Sequence, residues 1–455
     1  MIRCWCALAM ALAAASTAAG AKDPPATRPY ADDPAIVKML DGLGEGQSLL
    51  LPAVKHVRDG KGVDGGGRRG PYARDYTTAM AWAPDRGTAL YAGGNHGAGR
   101  TNDVWEFHLG SNTWHNLFAA EGGDHARFKW SLMFARRVFH KTPDYKMSAK
   151  QQSEWAACKQ WWQANVVLKD GRYVTRGGGP LLTGHTWDTL VYEPNTRRMI
   201  HGTGADCAAA AWVAHRFTGR PLEEIQAKLG RDPAGKPYRT MWQFDPAARK
   251  WANYASESKL AVLRGMGASM TYIGDWKKVV YYVAAQNVTP TAAYMRTWDP
   301  VADKWAELRP NGKSVHELAF KLKLAPTSEQ QMAYSPRHRK LVAVLKQATY
   351  AYDIDRNEWG KLNDAVPFTA HDAKTVFAYD SVAGVFLLAD PKRNKLAAFD
   401  PSAHAWRLVT PTGPGMPKPP WCVGKGYYDP AHNVLVVQSA YKSRMWVYRH
   451  KKPAP

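Results

Sequence analysis

Cysteine is scarce in this chain: 455 residues contain five. Two of these, Cys4 and Cys6, precede an apolar run, where no lipoprotein cleavage site uses them. Long hydrophobic segments are also missing. Nothing approaches the ~20 apolar residues of a spanning helix, so no membrane span is expected. Acidic residues are few, 39 Asp and Glu against 61 Lys and Arg, which leaves a formal net charge of +22. No Walker loop, dinucleotide fingerprint, Cys/His zinc spacing or Gly-x-Ser-x-Gly elbow occurs. The usual sequence warrants for nucleotide-driven, zinc-finger and serine-hydrolase chemistry are therefore absent.

What the N-terminus does contain sets an expectation about compartment. Arg3 supplies a short basic start, Trp5 to Ala15 an apolar run, and Ser16 to Ala21 a small-residue stretch. That layout predicts a cleavable signal peptide over 1–21 and a secreted or periplasmic mature chain from Lys22. Residues 22–46 then read as an N-terminal arm, and 47–455 as the folded body. In an oxidising compartment Cys158, Cys207 and Cys422 suggest one disulfide and one odd thiol. The basic surplus attracts polyanions and speeds their encounter. Outside the cytoplasm these are chiefly acidic polysaccharides and anionic lipid surfaces; simple solubility is the other reading of the same charge. No specific nucleic-acid partner is indicated, and the oligomeric state is not legible.

The chain is rich in Trp (19), Tyr (21) and Gly (38), and these residues recur in register. An aromatic precedes a tryptophan by seven residues at Phe107–Trp114, Phe244–Trp251, Trp298–Trp305, Tyr352–Trp359 and Phe399–Trp406. Turn formers such as Asp245-Pro246, Asp299-Pro300 and Asp400-Pro401 lie between, predicting strand, tight turn, strand. Upstream of each pair a further hairpin is marked by Trp82, Tyr192, Tyr272, Tyr334 and Tyr379, with a sixth at Tyr428. Six first hairpins against five second ones leave the last unit short of a strand. Residues 47–52 match the outer strand 406–411 in pattern, so the N-terminus is expected to complete the sixth unit and close the ring. The fold class predicted is an all-β, six-bladed propeller; a seventh blade would have to hide in an insertion that carries no marker.

At Gly93-Gly94, Asn102-Asp103-Val104-Trp105 and Trp114 the sequence resembles the kelch family, including the propellers of galactose oxidase-like proteins. The resemblance spans most of 47–450 and implies the fold rather than an activity. The paired glycines are replaced by Ala284-Ala285 in the third unit and His201-Gly202 in the second. A radical-copper oxidase is disfavoured, because none of the 15 histidines directly follows a tyrosine.

Two stretches break the rhythm. Trp114 to Trp251 is 137 residues, where other tryptophans recur every 54 or 47. The excess falls at about 118–183 and 205–239, two insertions that alternating strand direction places on one face. Helices are predicted from Ser148 through Trp162 and from Pro221 to Leu229. A Cys158–Cys207 disulfide would staple the two insertions into a lid; two separate thiols are the alternative.

The candidate site follows from the same topology. Arg74, His185, Arg264 and His371 lead into innermost strands, and His96 follows a second strand. These five are the candidate catalytic residues, with His185 as base and Arg264 and Arg74 as carboxylate clamps. Arg100, His125, Arg127, Lys346, Arg393, Tyr441 and Arg444 are candidate substrate contacts. Arg binds carboxylate or sulfate bidentately and Tyr or Trp stacks on sugar faces. The expected function is β-elimination on a uronate-containing polysaccharide, as in propeller lyases such as the ulvan lyases that the fold resembles. A non-catalytic propeller binding a glycan or a protein is the alternative, and any one of these residues also has a packing role open to it. No cofactor is predicted; a calcium or zinc ion in the channel would leave no linear signature.

Overall fold

The computed structural model describes residues 28–63, 71, 79–93, 101–121, 146–169, 172–180, 183, 186, 188–202, 215, 217–221, 223–224, 241–253, 268–283, 295–313, 315, 318, 331–345, 348–363, 365–368, 375–418, 424–438 and 444–452. Six antiparallel sheets stand in a ring as the blades of a β-propeller. From the axis outward, blade one has strands Ala81–Ala83, Thr88–Tyr91, Val104–His108 and Thr113–Phe118. Blade two has Leu190–Glu193, Arg198–Gly202, Met241–Asp245 and Lys250–Asn253, and blade three Ala268–Ile273, Lys278–Val283, Met295–Asp299 and Lys304–Glu307. Blade four comprises Gln331–Ser335, Lys340–Leu345, Ala348–Asp353 and Glu358–Asn363, and blade five Val376–Asp380, Val385–Asp390, Lys395–Asp400 and Ala405–Val409. Blade six joins Lys425–Asp429, Val434–Gln438 and Trp446–Tyr448 to the N-terminal strand Ser48–Leu50, which closes the ring.

The seven-residue spacing has a direct cause. Each aromatic and its tryptophan are cross-strand partners: Phe107 faces Trp114, Phe244 Trp251, Trp298 Trp305, Tyr352 Trp359 and Phe399 Trp406. Their ring centroids lie 5.1 to 5.8 Å apart, the range in which aromatic pairs attract beyond simple burial. The Asp after the aromatic caps the turn. Asp400 accepts from the N–H groups of Ser402 (2.8 Å) and Ala403 (3.2 Å), and Asp245, Asp299 and Asp353 repeat the pattern. The turn closes on a left-handed residue, such as Arg249, Asp303, Asn357 or His404, as a hairpin of this length requires.

The same tryptophans tie blades together. The Trp251 indole donates to the Asn102 carbonyl of blade one at 2.9 Å, and Trp406 to the Thr349 hydroxyl of blade four at 2.7 Å. Near the axis, Tyr334 donates to Asp275 of blade three and Tyr272 accepts from Asn195 of blade two, both at 2.7 Å. In the closing strand Ser48, not Gln47, faces Tyr448 where Trp406 faces Phe399. The sequence alignment of 47–52 with 406–411 is therefore one residue out of register. Without a tryptophan, Ser48 uses its hydroxyl on the Pro414 carbonyl at 2.8 Å, which Trp446 also binds.

The arm straddles the seam between blades six and one. Asp33 caps the helix Pro34–Asp41, whose Ile36 and Leu40 are buried with Leu109 of blade one and Val434 and Val436 of blade six. Outside blade one, Lys55–Arg58 runs parallel to its outer strand and pairs with Lys61–Gly62, covering that edge.

Candidate functional site

Alternating strand direction divides the disc into two faces. One carries the tight turns that close both hairpins of each blade. Eleven segments leave and re-enter strands on the other face: 92–103, 119–189, 203–240, 254–267, 284–294, 308–330, 346–347, 364–375, 391–394, 410–424 and 439–445. They hold 31 Lys and Arg against 16 Asp and Glu, and the rest of the chain 30 against 23. These connections therefore carry 15 of the 22 net positive charges in the sequence.

The described part of the first insertion contains the helix Ala149–Asn165, followed by the hairpin Val166–Lys169 and Arg172–Thr175. Ser148 and Gln151 form the capping box that starts the helix. The two insertions touch: Phe217 of the second packs against Trp155 (4.7 Å) and Trp162 (5.8 Å) of the first. Cys158 lies on the same helical face, three and four residues from those tryptophans, and is buried. Its expected bridge partner Cys207 lies outside the described residues. So does most of the second predicted helix, of which Glu223 and Glu224 are described as helical. Glu121 fastens the hairpin to blade one by accepting from Asn102 (2.8 Å), Thr175 and the Gly177 N–H (2.6 Å). Gly93, at φ +88°, sits against this region. A Cβ there would lie 2.8 Å from His201 Nε2 and closer still to Thr186.

Of the candidate site residues, Arg74, His96, Arg100, His125, Arg127, His185, Arg264, Lys346, His371 and Tyr441 lie outside the described residues. The described innermost strands begin four to seven residues after the expected starts, because pairing with the second strand begins there. Two candidate contacts are described, and both have protein partners. Arg393 pairs with Asp390 at 2.6 Å in the turn between the second and third strands of blade five. Arg444 donates to the carbonyls of Leu50 (3.0 Å) and Leu51, clamping the closing strand.

The axis holds a cavity of about 490 Å³, lined by the innermost strands of all six blades. Asp188, which sequence reasoning missed, supplies the one charged side chain among the described residues of that lining. It precedes the first strand of blade two and bridges backbone to Ser269 of blade three. Its Oδ2 accepts from the Ser269 hydroxyl and, at 3.3 Å, from the Met332 N–H of blade four. One carboxylate therefore ties three blades. Burial pushes its pKa up to about 7, against the lowering effect of those two donors. Beside it Gln331 and Thr375 satisfy each other: the Gln331 amide donates to the Thr375 carbonyl, and the Thr375 hydroxyl donates back at 3.0 Å. No linear signal marks Asp188, whose partners lie 81 and 144 residues away.

Among the described residues no cluster of three His, Cys, Asp or Glu is placed to hold a metal, and no helix is long and apolar enough to cross a membrane. Fold and cavity together define a six-bladed β-propeller with an axial channel. No protein-family model and no curated protein matches the chain. Among solved structures it is similar to a structural genomics protein of unknown function from Bacteroides thetaiotaomicron. The two share 8% identity with a TM-score of 0.42, over 90% of this chain and 73% of that one.

Proposed function

We propose that the chain is an exported, kelch-type propeller that binds an acidic polysaccharide on its insertion face and cleaves it by β-elimination. The observation carrying this reading is the concentration of Lys and Arg in the segments that join strands on that face. In such a cleavage a base takes the proton α to the uronate carboxylate. The bond from the β-carbon to the leaving oxygen breaks, a double bond forms between the two carbons, and the oxygen is protonated. Cationic side chains are needed at the carboxylate, because they acidify the α-proton and stabilise the developing charge. His185 is assigned the base, Arg264 and Arg74 the carboxylate, and His96 and His371 the assisting positions. Arg100, His125, Arg127, Lys346, Arg393 and Tyr441 are proposed along the glycan, and Cys158–Cys207 as the staple between insertions. Arg444 fits less well, since its guanidinium is engaged by the closing strand.

The test is ultraviolet absorbance of the unsaturated product when purified protein is incubated with uronate polymers. Product that forms with wild type and is lost at least a hundredfold in His185→Ala supports the lyase. Binding without product leaves the non-catalytic glycan-binding propeller as the function. Absence of both overturns the polysaccharide reading.

A further inference from the structure

We infer that the axial channel binds a primary amine with an apolar body, its ammonium on Asp188 and its body along the lumen toward the tight-turn face. This site uses described residues throughout and lies at the insertion-face end of the channel, Asp188 following His185 by three residues in sequence. Its polar end is built by three blades. Ser269 and the Met332 N–H both engage Asp188 Oδ2, which fixes the plane of the carboxyl and leaves Oδ1 as its remaining acceptor. The neighbouring polar side chains are already committed: Gln331 to Thr375, and the Thr271 hydroxyl to the Met332 carbonyl at 3.3 Å. No Lys, Arg or His contacts Asp188 among the described residues. A half-buried carboxyl facing an apolar lumen without a cation either keeps its proton or acquires a positive partner.

Below Asp188 the lumen turns apolar, with Met270, Met332, Ala333, Val376 and Ala378 among its lining residues. Tyr192 marks the aromatic level four residues along the strand, a span of about 13 Å. The lining there includes Trp82, Tyr272, Tyr334 and Tyr379. Tyr334 donates to Asp275 and Tyr272 accepts from Asn195, so these two offer a ligand mainly ring surface. A cavity of this size with one charge among its described lining residues is ordinary for a small-molecule site. Anions are disfavoured by Asp188, and a neutral molecule leaves its charge unmatched. A single ammonium with a body of up to about 13 Å satisfies both ends.

Calorimetry on the full mature chain at pH 8 tests this with three near-isosteric probes: 4-phenylbutylamine, 4-phenylbutanol and 4-phenylbutyrate. The amine is expected to bind at least tenfold more tightly than the other two. Asp188→Asn, which keeps an oxygen for Ser269 and Met332, should remove that preference. Ala333→Phe, which narrows the lumen while leaving Asp188 intact, should weaken the amine at least tenfold, with folding of both variants checked by thermal melting. Among the described residues the titratable groups lining the lumen are Asp188 and the tyrosines Tyr192, Tyr272, Tyr334, Tyr379, Tyr427 and Tyr428. Lowering the pH from 8 to 5 should therefore weaken the amine, as Asp188 gains its proton, and leave the alcohol unchanged. Equal binding of amine and alcohol, unchanged amine binding in Asp188→Asn, or no binding by wild type overturns the inference.

Discussion

Glu106 joins the N-terminal arm to blade one, and its surroundings make its charge costly to remove. The carboxylate is fully buried and accepts from Arg86 at 2.6 and 2.9 Å, Thr88 at 2.5 Å and Tyr30 at 2.6 Å. Burial pushes its pKa up, but those donors together hold it below the usual carboxylate value. An acid depressed in the folded state adds stability above its unfolded value, and that stability is lost as pH falls through the folded one. Glu106→Gln should cost about 3–5 kcal/mol at neutral pH, because Arg86 is left buried without a counter-charge. Denaturant midpoints followed from pH 7 into the acid range should show the cost shrinking as wild type itself is protonated. Asp188 has the opposite sign. Its raised value means that wild type loses stability as pH climbs from about 4 to about 7. Asp188→Asn should therefore gain stability relative to wild type at pH 8 compared with pH 4, and equal differences at the two pH values would contradict the assignment.

At the scale of elements, the hairpins were legible because their determinants are local. A turn closed by an Asp cap, a left-handed residue and an aromatic pair needs only neighbours in sequence. Asp400→Ala should cost about 1 kcal/mol in chemical unfolding, since two turn N–H groups lose their acceptor. The closing strand was legible in pattern but not in register. Its partner Tyr448 lies 400 residues away, and nothing local distinguishes Ser48 from Gln47 as the residue that faces it. Arg444 was read as a ligand contact for a related reason: a basic residue in a loop looks alike whether it meets substrate or a carbonyl from the other chain end. Arg444→Ala should lower the thermal midpoint, with about 1.5–3 kcal/mol lost from hydrogen bonds to a charged donor. Its affinity for polyuronate should match wild type; a large loss of affinity with unchanged melting would return Arg444 to the binding surface.

For the whole molecule, charge is the property on which the proposed polysaccharide binding rests. The chain has a net charge of +22, of which 15 lie in the connections between second and third strands and between blades. Polyuronate affinity should fall at least tenfold between 50 and 500 mM salt as the Debye length shortens, whereas aryl-amine binding in the axial channel, which pairs a single charge, should change far less. The sequence by itself determined the number of blades, the strand order and the face on which the insertions emerge. These follow from repeat spacing and from strands that alternate in direction. Only the tertiary structure decided that Ser48 faces Tyr448, that Arg444 serves closure, and that Asp188 joins three blades inside the channel. Each depends on residues hundreds of positions apart or on separate blades, brought together only when the ring closes.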